Sequence, residues 1–311
     1  MGSRLSGLGS ALYDSKRREF LGRDGARWGK LGVFYFFFYI GLAGFFCAML
    51  AVFMAFTPRD HPYYTNHDSR METRSNPLSP GLGFRPQPEV DRNIIEADKG
   101  RITNTTKRYT TSLDQYLRVY YWTPQVKQGS SRNVNNEDKI RNFRINNPGE
   151  CTISRNFGYT TGQPCVLIKM NKIVSFIPEP LDAKADKSEL PERCQQRDDA
   201  IAVACQGEYP ADIDNIGQIR YYSEDNILDT CGSLKKSWFP YTGKQNRTDV
   251  YQAPYVWAQF LNPKPNVLIN VICRAYAENI DFDKKTGRGL TRFQIYVNDE
   301  RRRSSQNAGE I

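Results

Sequence analysis

From Leu31 to Thr57 the chain reads LGVFYFFFYIGLAGFFCAMLAVFMAFT, 27 positions without one Asp, Glu, Lys or Arg. As a helix rising ~1.5 Å per residue it would extend ~40 Å. A bilayer core is ~30 Å thick and needs ~20 residues to cross. A buried helix of a soluble protein rarely runs this far without a charge, so the stretch predicts one transmembrane helix. It is too long, and begins too far into the chain, for a cleaved signal peptide. Within it Ala43, Cys47, Ala51 and Ala55 recur every four residues, with Gly44 and Ala48 beside them. Small residues along one stripe let a second helix approach closely. Tyr35 and Tyr39 share a face, and Tyr39 is about nine residues inside the span, where a hydroxyl needs a partner.

Beyond the span the pattern changes. Residues 58–92 are rich in Pro, Arg, Asn and Ser and read as an extended stalk. Ser112–Trp122 places Leu113, Tyr116, Leu117 and Tyr120 at helical spacing. Residues 127–150 are polar and Asn-rich, which predicts a loop. Strands are expected at Cys165–Lys169, Tyr255–Leu261, Val267–Tyr276 and Leu290–Val297, all rich in β-branched and aromatic residues. In the third, Val267, Ile269, Val271, Cys273 and Ala275 alternate onto one apolar face. Strands separated by Pro- and Gly-rich loops, with no helices between them, predict a mainly β, antiparallel sandwich.

Charge orients this architecture. The 311 residues carry a formal net charge of +9. Arg4, Lys16, Arg17, Arg18, Arg23, Arg27 and Lys30 precede the span, whereas only Arg59, Arg70 and Arg74 fall in the twenty residues after it. Positive flanks stay cytoplasmic. The expectation is a single-pass type II protein: a cytoplasmic tail over 1–30, the span over 31–57, a stalk over 58–92 and an extracellular domain over 93–311. The remaining positive charge is diffuse, which argues against nucleic acid as a partner. The run Arg301–Arg302–Arg303 reads as a solvated tail.

Seven cysteines leave six outside the span: Cys151, Cys165, Cys194, Cys205, Cys231 and Cys273. An extracellular setting favours three disulfides, and six cysteines allow about 15 connectivities. A zinc site is disfavoured, because no Cys-x-x-Cys occurs and neither His61 nor His67 lies nearby. No metal or cofactor is expected. Asn104-Thr105-Thr106 and Asn246-Arg247-Thr248 are glycosylation sequons on the extracellular side. Asp212-Ile213-Asp214 and Asp281-Phe282-Asp283 superficially suit a nucleotide-sugar enzyme, but the alternating strands and helices of such a domain are missing. Asp283-Lys284-Lys285-Thr286-Gly287 reads as a charged turn, and no P-loop, Gly-x-Ser-x-Gly or His-Glu-x-x-His occurs.

Several blocks carry a resemblance. Phe20-Leu21-Gly22-Arg23-Asp24-Gly25-Ala26-Arg27-Trp28-Gly29-Lys30 lies before the span, and Phe34-Tyr35, Phe38-Tyr39 and Gly41-Leu42-Ala43-Gly44 lie within it. Phe157-Gly158-Tyr159, Gly162-Gln163-Pro164-Cys165 and Lys169-Met170-Asn171-Lys172 follow. Then come Pro240-Tyr241-Thr242-Gly243-Lys244, Tyr251-Gln252-Ala253-Pro254, Ala258-Gln259-Phe260 and Cys273-Arg274-Ala275-Tyr276-Ala277-Glu278-Asn279-Ile280. Together these are similar to the β-subunit family of the sodium/potassium ATPase, over nearly the whole chain and in the family's order.

The resemblance implies an Ig-like sandwich and no catalysis of its own. It implies a plasma-membrane subunit that binds a P-type ATPase α subunit. That role would support the α subunit's folding, delivery, stability and potassium affinity. Membrane lipid and a small single-span regulatory subunit are further implied partners. Tyr35, Tyr39 and Gly44 would meet an α-subunit helix, and Tyr241, Gly243, Lys244, Tyr251 and Pro254 its extracellular loop. By motif, Cys151 would pair with Cys165 and Cys205 with Cys273, leaving Cys194 and Cys231 for each other. The family's most membrane-proximal bridge has no counterpart, which suggests an invertebrate-type member. An adhesion or junction protein built on the same sandwich is the alternative reading.

Overall fold

A computed structural model describes residues 13–14, 19–58, 63–64, 79–122, 143, 145, 147–181, 190–194, 197–224, 227–228, 230–241 and 251–300. The chain divides into two compact units, Met1–Tyr63 and Tyr64–Ile311.

In the first unit three two-residue strands, β1 (Tyr13–Asp14), β2 (Glu19–Phe20) and β3 (Arg23–Asp24), pair antiparallel in that order. They lead into α1 (Gly25–Phe56), a helix of 32 residues. It starts six residues before the uncharged stretch, since nothing in Gly25–Lys30 interrupts a helix. It stops where Pro58 follows. The proline ring disfavours helical geometry for Thr57, which is extended at φ −84°, ψ 123°. The Thr57 amide and hydroxyl both donate to the Phe53 carbonyl, at 3.0 and 2.8 Å, satisfying an end group the helix leaves open. No residue of α1 is buried.

The second unit contains, in chain order, β4 (Leu82–Arg85), β5 (Ile94–Asp98), α2 (Asn104–Trp122), β6 (Cys165–Met170), β7 (Ala200–Gly207), α3 (Pro210–Ile216), β8 (Ile219–Tyr222), β9 (Ile227–Leu228), β10 (Gly232–Lys235), β11 (Tyr255–Phe260), β12 (Leu268–Tyr276) and β13 (Leu290–Asn298). One five-stranded sheet runs β10-β7-β12-β13-β5 and the other β4-β6-β11-β8-β9. The fold is mainly β, and neighbouring strands are antiparallel except β5, which joins β13 in parallel with Ile95 opposite Ile295. In β12, Ile269, Val271, Cys273 and Ala275 form the expected buried face; on the other face Asn270 and Arg274 are partly open but Ile272 and Tyr276 are buried too, so the alternation is incomplete.

Aromatic rings fill the space between the sheets. Phe84 of β4 and Phe260 of β11 meet Phe293 of β13, at 4.9 and 6.2 Å between ring centres. At Gly232 of β10 a Cβ would collide with the Val256 side chain of β11, so the sheets close there only because the residue is glycine.

The four expected strands are present with ends shifted by about one residue. The structure also holds strands β5, β7, β8, β9 and β10 and the short helix α3, which the hydrophobic pattern did not suggest, and two further differences bear on the site. Leu82–Arg85, inside the stretch read as stalk, is a sheet edge, with Leu82 and Phe84 buried and Gly83 and Arg85 on the other face. The helix expected at Ser112–Trp122 begins two turns earlier. There the Thr103 hydroxyl accepts the Thr106 amide at 3.1 Å and caps the helix. Tyr109, Leu113 and Leu117 are its buried face.

Disulfides join Cys151 to Cys165, Cys194 to Cys231 and Cys205 to Cys273, and Cys47 is a free thiol on α1. Cys205 and Cys273 lie directly opposite each other on β7 and β12. That bridge therefore staples neighbours in one sheet rather than the two sheets together. Cys194 and Cys231 form a small satellite core with Ala204 and Tyr276, against Leu181 and Leu190.

The two Asp-x-Asp sequences are structural. Asp212 is buried and accepts the Asn270 amide at 3.0 Å, the Asn270 side chain at 3.2 Å and the Tyr209 amide at 3.3 Å. Asp283 closes a turn, accepting the Thr286 hydroxyl at 2.7 Å and the Lys285 amide at 2.8 Å. Its pKa is lowered chiefly by the Thr286 hydrogen bond. His61, His67, Gly243, Lys244, Asn246 and Arg301–Arg303 lie outside the described residues, as does most of the loop expected at 127–150.

Candidate partner-binding site

The second unit gathers part of the site from three separate segments. After β6 the chain runs through Asn171 and Lys172 to Val174, which forms a parallel bridge with Tyr241. The Ser175 amide donates to the Tyr241 carbonyl at 2.8 Å. Tyr241 and Tyr251 then pack 5.2 Å apart, ring centre to ring centre. The Lys172 ammonium sits 5.1 Å from the first ring and 5.5 Å from the second. A small cavity is lined by Asn171, Lys172, Phe176, Tyr241, Tyr251 and Pro254. Tyr241, Tyr251 and Pro254, all expected at the site, thus meet around one opening.

Lysine and two tyrosines make a cation–π pocket, worth about 0.5–1 kcal/mol where exposed and more where water is excluded. Desolvation pulls the Lys172 pKa below its usual value, and burial pushes the Tyr251 hydroxyl well above its own.

A second cation–π group adjoins the first through β6. The Lys169 ammonium lies 5.2 Å and the Arg85 guanidinium 5.6 Å from the centre of the Tyr116 ring on α2. The Lys169 pKa is lowered by burial first and then by repulsion from Arg85 and Lys172. Among the described residues no carboxylate forms an ion pair with any of these three cations. Such an excess of like charge raises the free energy of the isolated site and suits an acidic partner.

Two contacts fasten α2 to the site. The Tyr120 hydroxyl donates to the Ala253 carbonyl at 2.8 Å, and the Gln252 side chain donates to the Val119 carbonyl at 3.2 Å. Behind them Tyr120, Phe143, Trp238 and Tyr255 form a chain of edge-on rings, with neighbours 4.5–5.1 Å apart. Arg85, Lys169, Lys172 and Tyr116, which the structure gathers in and beside this cluster, were not among the residues expected there. Lys169-Met170-Asn171-Lys172 was visible as a block, but nothing in its spacing brings it to a tyrosine about seventy positions later.

In the first unit Tyr35 and Tyr39 stack on one face of α1 with ring centres 6.1 Å apart, and Phe34 stacks on Phe38 at 6.2 Å. Both tyrosines are exposed. A Cβ at Gly44 would meet no atom within 4 Å, so that turn of the helix is open to a neighbour. The sequon residue Asn104 is exposed on the first turn of α2.

The sodium/potassium ATPase beta chain family matches residues 1–295. The sodium/potassium-transporting ATPase subunit beta-2 of Drosophila melanogaster is 31% identical over 313 residues, covering 93% of this chain and 91% of that protein. Subunit beta-1 of the same fly is 28% identical over 305 residues, covering 92% and 91%. Subunit beta-1 of Tetronarce californica is 26% identical over 309 residues, covering 92% and 93%. The relatives include invertebrate proteins and align almost end to end. The chain, a mainly β protein with one helix long and apolar enough to cross a membrane, belongs to the sodium/potassium ATPase beta chain family.

Proposed function

We propose that this chain is the non-catalytic subunit of a sodium/potassium pump, holding a P-type α subunit through α1 and through the cation–aromatic site of the sandwich. In this reading residues 1–30 are cytoplasmic, 31–57 cross the plasma membrane, and 58–92 lead away from it to the extracellular domain over 93–311, with Leu82–Arg85 already joined to that domain as the edge strand β4. The seven basic residues before the span support that orientation. Asn104 and Asn246 then face the compartment where glycosylation occurs. The subunit supports folding, delivery and stability of its partner and tunes its potassium affinity. A small single-span regulatory subunit is a further partner.

The observation that carries the reading is α1. It is apolar on every side, buries nothing within its own chain, and displays two stacked tyrosines whose hydroxyls need partners in hydrocarbon. A neighbouring helix supplies those partners, and lipid does not.

Co-expression with a P-type α subunit, followed by purification in mild detergent, tests this. The expected outcome is one-to-one recovery of the α subunit and its appearance at the cell surface only when this chain is present. Equal surface delivery of either protein alone would overturn the chaperone role.

A further inference from the structure

The segment before the membrane helix is folded, and in an unusual way. β2 and β3 form a hairpin whose two-residue turn is Leu21-Gly22, with Phe20 opposite Arg23. Leu21 has φ 52° and Gly22 φ 73°. Two successive left-handed residues are the signature of the tight hairpin turn usually built from Asn-Gly. Glycine adopts that geometry freely, whereas leucine is disfavoured there by its Cβ. The chain therefore holds an apolar side chain at the tip of a turn where polar Asn would fit better. Leu21 is 52% exposed and Phe20 49%.

The hairpin is also fixed in depth. The Trp28 indole N–H donates to the Phe20 carbonyl at 2.8 Å, and the two rings lie 6.1 Å apart. Trp28 stands three residues before Leu31, where the uncharged stretch begins. At ~1.5 Å per residue this is ~4.5 Å along the helix. The headgroup layer on each side of the hydrocarbon is roughly 5–7 Å thick. With Lys30 held out of the hydrocarbon, Trp28 lies at headgroup depth, the preferred level for tryptophan. The hairpin bonded to it is held at the same level. The Arg23 guanidinium caps the indole at 5.8 Å, and Arg27 and Lys30 follow on the same short segment.

We infer that the Phe20–Arg23 hairpin is an interfacial anchor. Phe20 and Leu21 insert at the boundary of the acyl chains, while Arg23, Arg27 and Lys30 bind anionic phospholipid headgroups. The occupant is the lipid surface because the same chain carries the membrane helix that places the hairpin there. An apolar tip with cations beside it is the pattern of interfacial lipid binding; the carboxylates Asp14, Glu19 and Asp24 lie side by side across the three strands, so the lipid contact falls to the Phe20-Leu21 tip and to Arg23, Arg27 and Lys30. The inference requires α1 to cross the membrane, but is independent of which protein the chain joins.

The experiment places a nitroxide on Leu21→Cys or Val33→Cys in the full chain, in a Cys47→Ala background. Each protein is reconstituted alone into nanodiscs of phosphatidylcholine, with or without phosphatidylserine. Accessibility to dissolved oxygen and to an aqueous nickel complex reports depth. The expected result is a severalfold loss of nickel accessibility at position 21 relative to a fully aqueous label. A further loss should appear with phosphatidylserine and reverse at high salt. Trp28→Phe, which keeps an aromatic ring but removes the indole N–H, should return the label toward water. A Leu21 label as accessible to nickel as an aqueous one in both lipids, beside a buried Val33 label, would overturn the anchor alone. A Val33 label in water would overturn the spanning helix and the anchor with it. Protection that appears only after an α subunit is added would overturn lipid as the occupant and point to a protein surface.

Discussion

α1 and α2 are both long helices, and they solve burial in opposite ways. α2 is amphipathic: Tyr109, Leu113 and Leu117 are buried, Lys107 and Arg108 are exposed, and Tyr120 bonds to the Ala253 carbonyl. Its partners lie within its own unit. α1 is apolar around its whole circumference, and none of its residues is buried. In the proposed reading what it rests against comes from outside the chain, as lipid on most of its surface and a protein helix on its tyrosine face. In the first helix, then, the apolar residues encode association; in the second they encode folding.

Core truncation gives the largest test of that difference. Leu113→Ala removes a fully buried side chain from α2 and should cost about 2–5 kcal/mol. Phe45→Ala on α1, exposed in the chain, should change the ectodomain's stability by less than about 0.5 kcal/mol. Denaturant melting of the full chain in detergent, followed by ectodomain tryptophan fluorescence, reads both. Equal losses would mean that α1 supports the sandwich directly, and the contrast would collapse.

A smaller effect separates lipid from protein around α1. Tyr35→Leu with Tyr39→Leu keeps the helix apolar and should leave ectodomain melting unchanged. Hydroxyl contacts between membrane helices average about 0.6 kcal/mol and reach about 1.7. Losing two should weaken α-subunit recovery by about tenfold. Unchanged recovery in a detergent titration would mean that the tyrosines face lipid.

The same contrast explains what could be read from sequence. α1 was legible because its apolar run is unbroken over 27 positions, with no polar face to interrupt it. β12 and β13 were legible because each puts β-branched and aromatic residues on one dry face, Ile269, Val271 and Cys273 in β12 and Phe293, Ile295 and Val297 in β13. β7 was not, because Ile201 and Val203 alternate with alanines rather than with polar residues, and alanine is a poor strand former that blurs the signal. β4 was hidden by length, four residues in a Pro- and Asn-rich stretch. The start of α2 was obscured by Thr105, Thr106, Thr110 and Thr111, poor helix formers that tertiary contacts override. At the site, motif resemblance indicated Tyr241, Tyr251 and Pro254. The cations were out of reach, because Arg85, Lys169 and Tyr116 meet only through the pairing of β4 with β6 and the docking of α2.

Those cations offer the smallest and most discriminating test, because a folding residue and a binding residue respond to it in opposite ways. Lys169 is held next to Arg85 and Lys172, and its folded-state pKa lies below the unfolded value of about 10.4. The unfolded chain therefore binds more protons here than the folded one between those two values. Stability consequently rises with pH across that window. Below the folded pKa the charged lysine is a full penalty; above it the penalty fades. Lys169→Met keeps the stem over Tyr116 and removes the charge. It should raise stability at neutral pH by something on the order of 0.5 kcal/mol, the scale of partly exposed ion interactions. It should also flatten the rise toward alkaline pH. The same substitution should lower recovery of the α subunit and make what remains less sensitive to salt, since an acidic partner would lose one of its countercharges. Melting and recovery measured on one preparation decide the matter. A loss in both would make Lys169 an ordinary packing residue of the sandwich. A gain in stability with unchanged recovery would leave the charge excess without a partner on this face.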